Sequence, residues 1–83
     1  MKTIILSAAA ARDLDNLPAD VRNQVSEGLI GYAISGRGDV KRLAGRDGYR
    51  LRIGHYRVIF DEDRATILAI YIGKRETTTY SRS

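Results

Sequence analysis

Three arginines, Arg50, Arg52 and Arg57, stand in the segment Tyr49-Arg-Leu-Arg-Ile-Gly-His-Tyr-Arg-Val-Ile-Phe60 at a spacing that can gather them around one anion. Gly54-His55 has the form of a two-residue hairpin turn with glycine first. Folding about it pairs Ile53 with Tyr56, Arg52 with Arg57 and Arg50 with Ile59. Strand alternation then sends Tyr49, Leu51, Ile53, Tyr56, Val58 and Phe60 to one face and the three arginines to the other. Like charges directly opposite one another destabilise a sheet, so the pattern points to a bound anion. Guanidinium groups suit phosphate because each offers paired, planar donors and keeps its charge.

Further basic residues extend this surface. Lys41, Arg42, Arg46 and Lys74 read as grips on a nucleic-acid backbone, with simple solvation as the competing reading. His55 reads as a turn residue, and Tyr49, Tyr56 and Tyr71 as packing residues.

Charge is unevenly spread: residues 1–36 carry three basic and four acidic side chains, residues 37–83 eleven and six. The second half is the half expected to meet a polyanion. With no cysteine and one histidine, disulfides, thiolate metal sites and histidine-based metal sites are all disfavoured, and the expected site uses no metal and no cofactor. No apolar run reaches the length of a membrane span. The N-terminal stretch is interrupted too early by Arg12 and Asp13 for a secretion signal, so the expected compartment is the cytoplasm.

The elements that must position these residues follow from pattern. Thr3 to Leu6 is β-prone, and Ser7 is a plausible N-cap for an alanine-rich helix over Ala8 to about Asn16. A second helix starts near Pro18, with Val21, Val25, Leu29, Tyr32 and Ala33 at helical spacing. Gly28 and Gly31 within it read as points of close helix-on-sheet packing. Ser35-Gly-Arg-Gly-Asp39 ends that helix and opens a flexible stretch through Gly48. The hairpin follows, then a charged, solvated turn at Asp61-Glu-Asp-Arg64, then a strand from Thr66 to Ile72. The expected fold is one α+β domain over residues 1–83, ordered β-α-α-β-β-β, with a helical hairpin covering one face of a small, largely antiparallel sheet. The arginine face is left open.

In this order the segments Leu43-Ala-Gly45, Tyr49-Arg-Leu-Arg52, Gly54-His-Tyr-Arg-Val-Ile-Phe60 and Ile72-Gly-Lys-Arg-Glu76, followed by Tyr80, resemble the RelE/ParE superfamily of toxins from type II toxin–antitoxin pairs, and within it the RelE-like mRNA interferases. The resemblance implies a metal-independent endoribonuclease that cuts translated mRNA in the ribosomal A site. By motif it places catalytic roles on Arg50, Arg52, Arg57, Arg75 and Tyr80. It further implies a RelB-like cognate antitoxin, contact with ribosome and mRNA, and operator DNA bound together with the antitoxin. Arginine stands where a RelE toxin carries lysine, so a proton-accepting lysine is missing there. The competing readings are a ParE-like toxin that inhibits gyrase without nuclease activity, and a non-catalytic nucleic-acid-binding module.

Overall fold

The computed structural model describes residues 1–74 of the chain. Seven elements follow in order: β1 (Thr3–Leu6), α1 (Ala8–Asp15), α2 (Ala19–Ser35), β2 (Asp39–Arg42), β3 (Tyr49–Ile53), β4 (Tyr56–Glu62) and β5 (Thr66–Lys74). They form a mixed five-stranded sheet in the order β1-β5-β4-β3-β2. β1 runs parallel to β5, and the other pairs are antiparallel. The α+β class and the helical hairpin on one sheet face agree with the sequence reading. No helix among the described residues is long and apolar enough to cross a membrane.

The sheet holds one strand more than the sequence suggests. β2 lies in the stretch read as flexible, and of its four residues Asp39-Val-Lys-Arg42 only Val40 is apolar. Its strand conformation comes from pairing along β3, where Val40 meets the buried Leu51.

Ser7 caps α1 as expected, its hydroxyl accepting from the Ala10 amide at 3.0 Å. Pro18 takes the N-cap position of α2, where its missing N–H costs nothing. Gly36 ends α2 in the left-handed conformation (φ 74°). Of the two helical glycines only Gly28 serves close packing. A Cβ there would meet the Ile53 side chain at 2.6 Å, whereas one at Gly31 would meet nothing.

The core lies between the helices and the inner sheet face. Val25, Leu29 and Ala33 of α2 are buried against Leu51, Val58, Phe60, Ile67, Ala69 and Ile72 of the sheet. Phe60 is the hub. The Tyr32 ring meets it edge-on, with centroids 5.5 Å apart and planes at 62°, and the Tyr49 ring stacks on it at 5.5 Å and 25°.

The charged segment between β4 and β5 is only partly the solvated turn expected from sequence. Asp63 fits that reading: its carboxylate accepts from the Ala65 and Thr66 amides at 2.9 and 2.8 Å, which holds its pKa below the usual carboxylate value. Glu62 does not. It points to the helix side, where the Tyr32 hydroxyl shares its proton between the two carboxylate oxygens at 3.0 and 2.9 Å, and Lys2 Nζ lies 2.8 Å from Oε1. Burial, then the hydrogen bond to Glu62 and that carboxylate's charge, push the Tyr32 pKa up to about 12. The folded state therefore favours the protonated phenol. Its contribution is whole below the ordinary tyrosine pKa of 10.0 and is lost as pH rises from there toward 12. Thermal melts across that window should fall more steeply for the parent chain than for Tyr32→Phe, and parallel curves would disprove the linkage.

Candidate nucleic-acid interface

The hairpin adopts the expected register: Ile53 opposes Tyr56, Arg52 opposes Arg57 and Arg50 opposes Ile59. Gly54 has φ 58°, and no non-glycine residue among those described has positive φ. Positive φ at the first turn position alone is the type II′ pattern, whose twist suits the flanking strands. His55 is an exposed turn residue. Leu51, Val58 and Phe60 go into the core, so the three arginines share the sheet face that carries no helix.

Pairing across β2 enlarges this face. Lys41 lies opposite Arg50, and Asp39 opposite Arg52. Asp39 Oδ2 lies 3.1 Å from Arg52 Nε in an ion pair, with both side chains about half exposed (48% and 49%). The like-charge opposition of Arg52 and Arg57 is thus partly offset from the edge strand, a relief hidden from the sequence reading because β2 was hidden from it. Arg50 and Arg57 have no ion-pair partner among the described residues. Arg57 carries the more telling feature: its Nε is buried and has no hydrogen-bond acceptor there. A buried donor without an acceptor costs about 1–3 kcal/mol, so folding alone gives no reason to keep an arginine at this position.

Arg57 lines an open cavity of about 350 Å³ together with Leu43, Ala44, Arg46, Ile59, Ile70 and Tyr71. Arg46 reaches it from the loop between β2 and β3. The basic residues therefore sort into two groups. Arg50, Arg52, Arg57 and Lys41 lie on the open face, with Arg46 at its cavity. The register sends Arg42, opposite Tyr49, and Lys74, opposite Tyr56, to the helix side of the sheet. Neither can share a ligand with Arg57 through the cavity. Arg75 and Tyr80 lie outside the described residues.

Tyr71 is the residue the sequence reading misplaced. Counted from the buried Ile67 and Ala69, strict alternation puts it in the core. Instead β5 contains a bulge: Tyr71 pairs with Ile59 while Ala69 pairs with Phe60, leaving Ile70 as an extra residue. The phase of β5 flips there, so Ile72 is buried and Tyr71 is 42% exposed on the open face. The bulge is held from the side. β1 ends at Leu6, and beyond it the Ser7 hydroxyl donates to the Ile70 carbonyl at 3.1 Å while the Asp13 carboxylate accepts from the Ile72 amide at 3.1 Å. Reading alternation backwards from Ile72 in place of forwards from Ile67 was the signal that could have found it.

No family model matches the sequence, and no curated protein matches it. Solved structures do match by shape. The RelE–RelB complex from the archaeon Pyrococcus horikoshii superposes with a TM-score of 0.77 at 22% identity, covering 93% of this chain and 98% of that one. The isolated E. coli RelE toxin gives 0.76 at 21% identity over 94% of this chain and 88% of that one. The RelBE2 toxin–antitoxin complex from Mycobacterium tuberculosis gives 0.75 at 23% over 89% and 98%. Near-complete coverage in both directions, with the same pair of helices on a mixed sheet, gives this chain the RelE toxin fold.

Proposed function

We propose that this chain is the toxin of a type II toxin–antitoxin pair and an endoribonuclease that cuts translated mRNA in the ribosomal A site. The observation that carries the reading is Arg57: a guanidinium whose Nε is buried and lacks an acceptor among the described residues, lining a cavity on the basic face of a RelE-like sheet. RNA brings its own nucleophile. The ribose 2′-hydroxyl attacks the adjacent phosphorus, the bond to the 5′-oxygen breaks, and two protons move, one off the nucleophile and one onto the leaving group. Protein groups need only orient the strand and stabilise the charge that builds on the phosphorane oxygens. Arg57, with Arg50 and Arg52 beside it, is assigned that charge.

Arginine does not take up a proton at any working pH, so proton transfer falls to other groups. Arg75 and Tyr80 keep the roles suggested by the family resemblance: a further charge on the transition-state phosphate, and a hydroxyl or ring at the scissile nucleotide. A RelB-like antitoxin is the proposed protein partner, with operator DNA bound by the pair. The Pyrococcus horikoshii neighbour is itself a RelE–RelB complex.

Expression of the chain alone should arrest growth, and primer extension on a reporter transcript should show new 5′ ends inside the translated region. Intact transcripts together with inhibited gyrase would move the assignment to a ParE-like toxin. Intact transcripts with active gyrase would leave a nucleic-acid-binding module.

A further inference from the structure

We infer that Tyr71 is the platform on which a nucleobase of the bound strand stacks while Arg57 holds the adjoining phosphate. The inference rests on the reading of the open face as an RNA site and adds to it the residue that would contact a base. An exposed aromatic on a strand is commonly no more than a good sheet former. Three features of Tyr71 go beyond that.

The first is the bulge at Ile70, which turns Tyr71 out of the core phase and onto the arginine face. Bulges recur next to active sites because they re-aim one side chain at the expense of local pairing. Here Ser7 and Asp13 supply hydrogen bonds on either side of Tyr71, at Ile70 and Ile72, so the re-aimed conformation is fixed. The second is Gly73, the cross-strand partner of Arg57. A Cβ at position 73 would collide with the Tyr71 hydroxyl and lie 2.8 Å from ring carbon Cε2. The Tyr71 ring thus lies down over Gly73, beside Arg57, in a seat that any side chain at 73 would fill.

The third is the company the ring keeps. Tyr71 and Arg57 line one cavity of about 350 Å³, within the roughly 300–1,000 Å³ range of small-ligand sites. A π face and a guanidinium in one recess match the two groups that a nucleotide unit presents together, base and phosphate. A peptide carboxylate or a free phosphate would engage the guanidinium and leave the ring without a role.

The test separates base from backbone. The full chain is titrated, without ribosomes, with a fluorescent single-stranded RNA hexamer and with an oligomer of the same length that has the ribose-phosphate backbone and no bases. The parent chain and Tyr71→Phe should prefer the hexamer by about 10-fold or more, in keeping with the value of a base–aromatic stack. Tyr71→Ala should lose most of that preference. Gly73→Ala, which keeps the tyrosine and displaces its ring, should do the same. Arg57→Ala should weaken both oligomers alike and keep their ratio. An undiminished preference in Tyr71→Ala, or a parent chain that binds both oligomers equally, overturns the inference. Because the ratio is read without cleavage, it stands or falls apart from the ribonuclease assignment. A base preference with uncut mRNA supports the platform and removes the nuclease, and cut mRNA without the preference removes the platform alone.

Discussion

Arg57→Ala is expected to lower the single-turnover cleavage rate on programmed ribosomes by about two to three orders of magnitude and to leave the fold as stable as before or slightly more so. The rate loss follows from the role proposed for Arg57. Removing one preorganised donor to a developing oxyanion typically costs about 10²–10³-fold, and an effect realised in the transition state appears in turnover more than in binding. The stability expectation follows from the geometry. Arg57 faces Arg52 across the hairpin and buries an Nε that has no acceptor among the described residues, so truncation relieves a like-charge contact and a desolvated donor together. Most substitutions destabilise, and one that silences activity without lowering the melting temperature marks a residue kept for its ligand.

Arg52→Ala should be milder in rate, because Arg52 already shares its charge with Asp39. Its effect on stability should be small, since half-exposed ion pairs contribute about 0–1 kcal/mol. A melting temperature depressed by several degrees in Arg57→Ala would instead make that arginine structural, and undiminished cleavage would defeat the proposed site.

The second large effect concerns the core. Phe60→Ala should cost about 3–5 kcal/mol, the usual range for deleting a buried phenyl ring. Phe60 is fully buried and holds both the Tyr32 and Tyr49 rings, so its loss also loosens the contact between α2 and the sheet. Small domains bury a limited fraction of their surface, and native stability is only about 5–15 kcal/mol. A loss of this size consumes a large part of it. The denaturant midpoint should fall sharply with little change in slope. A partner that binds only the folded state should restore part of the loss in proportion to its concentration. A change under about 1 kcal/mol would show that the neighbouring rings close over the vacancy. The two variants divide the sheet by face, one silencing function with the fold intact and the other weakening the fold.

The hairpin is legible in local sequence alone. Gly54 supplies the positive φ of a II′ turn, the alternation of Tyr49 to Phe60 assigns each side chain to a face, and a one-residue slip would have exposed Leu51, Val58 and Phe60 while burying three arginines. Register was legible because burial and charge oppose any other choice. The Ser7 cap and the spacing of Val25, Leu29 and Ala33 were legible for the same reason, since each depends on residues a few positions apart. The ordered motifs pointed further, to the RelE fold that the superpositions bear out.

Tertiary structure decided what depends on distant partners. β2 is a strand because β3 offers it an edge, and its own residues carry no strand pattern. That edge placed Asp39 beside Arg52 and Lys41 beside Arg50, and it sent Arg42 to the other side. The bulge in β5 was equally hidden. A single extra residue, Ile70, shifts the phase of everything after it, and Ser7 and Asp13, roughly sixty residues earlier in the chain, hold it in place. Periodicity describes a strand from its own residues, whereas the hydrogen bonds that set a bulge come from elsewhere in the fold, and this is why Tyr71 read as a packing residue in the sequence and stands on the open face in the structure.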